Sequence, residues 1–70
     1  MNKFYLTFGQ KSPFRNGYVL IVAVDYENAR NLVEDIFGNK WSNLYDENVW
    51  GKEEAALFPS GQVGKTLYAN

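Results

Sequence analysis

The residues whose types and spacing come nearest to a known chemistry are Gly61-Gln62-Val63-Gly64-Lys65-Thr66. A glycine followed by Lys-Thr is the tail of a phosphate-binding loop, whose backbone N–H groups wrap phosphates while the lysine meets their charge. That wrapping needs a glycine five residues before Gly64, and Pro59 stands there. It also needs a helix after Thr66, and the stretch reads instead as a turn leading into a short strand. The same Gly-x-x-Gly spacing occurs in the backbone clamp of KH domains, but there it lies between two helices.

Acid–base chemistry would fall to the carboxylate pairs Glu34-Asp35, Asp46-Glu47 and Glu53-Glu54. Paired acids work when burial splits their pKa values around one substrate atom, and adjacent residues on a helix or turn do not converge in that way. Asp46, Glu47, Glu53 and Glu54 lie close enough in sequence to form an acidic surface patch, but with no Asp/Asn/Gly spacing of calcium-ligand type. Serine, threonine and tyrosine hydroxyls are present, yet the chain has no histidine to activate them and no cysteine. Disulfides, Cys/His zinc sites and thiol nucleophiles are excluded with them. The expectation is a protein that is not an enzyme and carries no catalytic residue, cofactor or metal.

Two binding surfaces remain. Lys3, Lys11 and Arg15 flank Phe14, and cations interleaved with an aromatic are the ingredients of single-stranded nucleic-acid binding. With seven Lys and Arg against eight Asp and Glu, however, the net charge is −1, far from that of a polyanion binder. The other surface belongs to the run Tyr18 to Val24. If Val19, Ile21 and Ala23 face a helix, then Leu20, Val22 and Val24 face away, where an antiparallel sheet normally carries polar residues. An apolar patch there is a partner surface, unless Trp50, Leu57, Phe58 and Leu67 fold back over it.

The elements that must position these residues are legible from periodicity. Residues 3–8 alternate, with Phe4, Leu6 and Phe8 on one side and Tyr5 and Thr7 on the other, which predicts a strand. Residues 9–17 hold two glycines, a proline and Asn-Gly, a loop longer than a tight hairpin needs. Residues 18–24 are a continuous apolar run, predicting a strand buried on both faces. Asp25 caps a helix over 26–37, with Ala29, Leu32, Val33, Ile36 and Phe37 inward, Arg30, Asn31, Glu34 and Asp35 outward, and Gly38 as its stop. Trp41 to Tyr45 reads as a third strand, with its inward phase open. Lys52 to Phe58 reads as a helical turn ended by Pro59, and 66–68 as an edge strand.

Together these predict a single α+β domain over 1–70. A small antiparallel sheet of three or four strands packs on one amphipathic helix, in β-β-α-β order. Size scaling leaves about 107 kcal/mol of apolar burial against ~105 kcal/mol of ordering cost, so excellent packing or self-association must supply the balance. No apolar run approaches the ~18 residues of a membrane span, and no leader is evident, which points to the cytoplasm.

The strings Phe4-Tyr5-Leu6-Thr7-Phe8-Gly9, Gly17-Tyr18-Val19, Asp25-Tyr26-Glu27-x-Ala29-Arg30, Phe37-Gly38-x-Lys40-Trp41-x-x-x-Tyr45 and Phe58-Pro59-x-Gly61 span most of the chain. In them it resembles a group of short, uncharacterised bacteriophage and prophage proteins. The resemblance implies provenance, a bacterial host cell and no assigned active site. Leu20, Val22 and Val24 depart from the polar residues of that pattern. By analogy with small phage proteins that bind host machinery, the expected function is protein binding, as an anti-CRISPR or other anti-defence inhibitor. The surface would be Tyr5, Leu20, Val22 and Val24, or the aromatic segment around Trp50, engaging a host or phage protein or a second copy. The alternative is a small nucleic-acid-binding regulator using Lys3, Lys11, Phe14 and Arg15.

Overall fold

The computed structural model describes residues 1–69. β1 (Asn2–Thr7) and β2 (Gly17–Ala23) pair antiparallel, with Phe4 opposite Ile21 and Leu6 opposite Val19. The loop between them is stitched by a chain of turns, Ser12 N–H to Gly9 O, Arg15 N–H to Ser12 O and Gly17 N–H to Phe14 O. β3 (Asn43–Asp46) joins the other edge of β1, with Leu6 opposite Leu44 and Tyr5 opposite Tyr45. That register settles the phase left open by sequence: Leu44 is inward and Tyr45 outward.

The helix α1 is Tyr26–Phe37, as its periodicity predicts. The Asp25 carboxylate accepts from the Asn28 backbone N–H and from its side-chain amide, both at 2.9 Å, satisfying an orphan donor of the first turn. Gly38, at φ +62°, ends the helix with its N–H on Glu34 O. Asp25→Ala should cost about 1 kcal/mol, read as a melting point roughly 5 °C lower. An unchanged melting point would mean that tertiary packing alone holds the first turn.

α1 lies along β1. Tyr26 at its start meets Phe4 edge-on at 6.0 Å, and Phe37 at its end meets Phe8 at 5.5 Å. β2 and β3 are each antiparallel to β1, so they are parallel to one another and α1 crosses over the strand between them. The core is Phe4, Leu6, Phe8, Val19, Ile21, Ala23, Ala29, Val33, Leu44 and Ala69, with Leu32, Phe37, Trp41, Val63 and Leu67 packed at its margin.

The sheet is mixed. β4 (Gly61–Gln62) and β5 (Leu67–Tyr68) both run parallel to the outer edge of β2. They are two pieces of one interrupted edge strand, broken where Gly64 takes φ +75°. Val63 N–H and Ala69 N–H, both at 2.8 Å, bond to Tyr18 O and Val22 O along that edge. A short helix α2 (Lys52–Ala56) precedes them, its start held by Gly51 N–H on the Glu54 carboxylate at 3.0 Å.

Four expectations are corrected. β3 begins at Asn43, because the Trp41 indole N–H turns back to cap Gly38 O at 2.9 Å, and Trp41 also carries Arg30 over its ring. Ile36 is exposed, since the inward stripe of α1 is centred on Ala29 and Val33. β2 is buried on one face only: Val19, Ile21 and Ala23 are buried, whereas Tyr18, Leu20 and Val22 are half-buried. Leu67 pairs with Ile21 on the core side and Leu57 is exposed, so neither covers the far face.

Candidate protein-binding face

The face of the sheet turned away from α1 is set by strand alternation, since Cβ directions reverse at each residue. The registers build it in rows. Tyr45, Tyr5 and Leu20 form one row, Thr7 stands between Asn43 and Tyr18, and Lys3, Val22 and Tyr68 form the last.

Half of this face is roofed by aromatic rings. After β3 the chain turns at Asp46, which takes the N–H groups of Val49 and Trp50 on its carbonyl and that of Asn48 on its carboxylate. This turn lays Trp50 flat on Tyr5, at 4.7 Å between centroids and 4° between planes. Tyr18 meets the same indole edge-on at 5.2 Å, Tyr45 lies tilted against it at 5.4 Å, and Phe58 stacks on it from the C-terminal side at 5.6 Å. Of the side chains expected to fold back over this face, Trp50 and Phe58 do so. Burial beneath them holds the Tyr5 phenol above its ordinary pKa, and the charges of Glu47 and Tyr18 push in the same direction.

The other half lies beyond the roof. Leu20 and Val22 are half-buried in it, and Tyr68, directly beside Val22, is 70% exposed. Val24 is exposed but lies past the end of β2, where its carbonyl accepts from the Asn2 side chain at 2.9 Å. The structure thus places Tyr5, Leu20, Val22 and Trp50 on one face and leaves Val24 at its margin. Tyr68 was missing from the sequence-derived set. Its signal was the alternation of the expected edge strand, which sends Leu67 inward and Tyr68 outward.

The residues of the nucleic-acid alternative are divided. Lys3 sits at the start of β1 on the open face, opposite Val22. Lys11, Phe14 and Arg15 belong to the loop after the far end of β1, roughly 20 Å along the strand direction. Phe14 leans on Phe8 at 5.4 Å yet stays 47% exposed. Among the described residues there is no cluster of three or more acidic, histidine or cysteine side chains suited to a metal, and no helix long and apolar enough to cross a membrane.

Fold and face together define an α+β domain with a mixed sheet, one face closed by a helix and the other partly closed by a tryptophan-centred aromatic roof. Comparison of the chain with protein-family models, curated proteins and solved structures finds no match.

Proposed function

We propose that this chain is a small accessory protein of bacteriophage type that acts by binding another protein rather than by catalysis. In this reading it works in the cytoplasm of a bacterial host, as an inhibitor of a defence component of the anti-CRISPR or related kind. The observation that carries the binding reading is the half of the open face beyond the roof, where Tyr68 is 70% exposed beside the half-buried Leu20 and Val22. Leu20 and Val22 follow one another along this side of β2, Tyr68 stands beside Val22, and the aromatic roof over Tyr5 borders them. Aromatic and aliphatic side chains held on strands lose little entropy when a partner covers them. The resemblance to short phage proteins supports the choice of a host partner, and the analogy with anti-defence proteins supports inhibition as the outcome.

Val22→Glu tests the face. The tagged wild type, expressed in the bacterial host, should retain one protein through a wash at about 0.5 M salt, where surface ion pairs are screened. Val22→Glu should lose that protein while keeping its circular dichroism spectrum and melting point within a few degrees. Retention of the same protein by the variant would remove this face from the interaction. Co-purifying nucleic acid that dissociates steeply with salt would replace the reading with the Lys11, Phe14 and Arg15 surface.

A further inference from the structure

A second surface lies on the helix side of the sheet. An open groove of about 830 Å³ runs between the loop after β1 and the C-terminal end of α1, with Phe8, Lys11, Phe14, Ile36, Lys40 and Trp41 among its walls. A smaller groove of about 250 Å³ extends it past Val63, Lys65 and Leu67, sharing Phe8, Phe14, Ile36 and Phe37 with the first. Three of the five lysines line this trench, and among the described residues no carboxylate side chain does. Its apolar walls include Ile36 and Phe14, 51% and 47% exposed.

The complement of this trench is in the same chain. Segment 46–57 carries Asp46, Glu47, Glu53 and Glu54, half of the eight acids, against its single cation Lys52, and presents Val49 and Leu57 at 59% and 72% exposure. Its anchor, Trp50, packs on Tyr5, Tyr18 and Tyr45, the face opposite α1. An acidic segment with apolar side chains and a basic trench with apolar walls therefore lie on opposite faces of one sheet. We infer that a second copy of this chain seats its 46–57 segment in the trench, in a head-to-tail contact. Such a contact uses two different patches, so it propagates into a ring or a chain rather than stopping at a two-fold dimer. Opposite charge sets its register and orientation, while the apolar side chains supply buried area.

Sedimentation equilibrium of the full chain tests this. At about 50 mM salt the average mass should climb above 8.0 kDa with concentration, and it should fall back toward the monomer at about 0.5 M, where the screening length shrinks. Lys11→Glu with Lys40→Glu should be monomeric, and so should Glu47→Lys with Glu53→Lys. Mixing the two should restore association, because each reversed surface then meets its complement. A constant 8.0 kDa mass at low salt would overturn the inference. So would association that survives either double reversal, or a mixture that stays monomeric. Association abolished by Val22→Glu but not by the lysine reversals would overturn it too, placing the contact on the open face.

Discussion

Trp50→Ala is expected to remove about 3 kcal/mol of stability and to lower the melting temperature by roughly 15 °C. The indole is the shared partner of four rings, Tyr5, Tyr18, Tyr45 and Phe58, at 4.7 to 5.6 Å. Each aromatic pair contributes about 0.5–1.5 kcal/mol beyond the area it buries, and all four contacts vanish together. The loss is below that for a fully buried tryptophan because Trp50 is only partly buried. For a chain of this size, total stability is of order 3–10 kcal/mol, so the variant is marginal. Trp50→Phe should recover about half of the loss, since a smaller ring still stacks on Tyr5. Urea titration followed by circular dichroism measures both variants. A loss below about 0.5 kcal/mol in Trp50→Ala would show that the roof adds nothing to the sheet's stability.

Gly17→Ala has the next largest effect, for a steric reason. A Cβ built on Gly17 would lie 2.6 Å from Val63 Cγ1 and 2.9 Å from the Gly61 carbonyl oxygen. The side-chain clash forces the β-branched Val63 out of its preferred rotamer, and the backbone oxygen belongs to β4 itself, paired with β2 at this position. Relief therefore requires β4 to move away from β2, and about 2 kcal/mol is expected for such overpacking. Adding Val63→Ala removes the methyl clash and leaves the carbonyl clash. The double variant should thus be more stable than the sum of the two single changes by about 1 kcal/mol. Strict additivity would mean that Val63 does not take part in the clash and that the carbonyl accounts for all of it.

Much of this architecture was legible because local rules and tertiary packing agree. The helix over 26–37 has its cap at Asp25, its stop at Gly38 and a buried stripe through Ala29 and Val33, and each signal lies within one turn of what it controls. β1 and β2 were legible by alternation and by apolar content. Trp41 misled because its aromatic character suits a strand, whereas its N–H is held by a helix-terminal carbonyl that no periodicity encodes. Ile36 fits the helical stripe by number, yet at the last turn of α1 the sheet no longer reaches it, and it lines the trench instead.

The sequence by itself determined what this chain is made from: one capped amphipathic helix, two strands greasy on the side that meets it, and no histidine or cysteine chemistry. These follow from spacing along a few residues, which the backbone geometry of helix and strand translates directly into faces. Only the tertiary structure decided how the second face of β2 is shared. Trp50, some thirty residues beyond Tyr18, roofs Tyr5, Tyr18 and Tyr45 and leaves Leu20 and Val22 beside Tyr68. Contacts across such separations depend on how a turn at Asp46 and a break at Gly64 aim the chain. Those directions are set by packing and closure of the whole fold, which no local pattern carries.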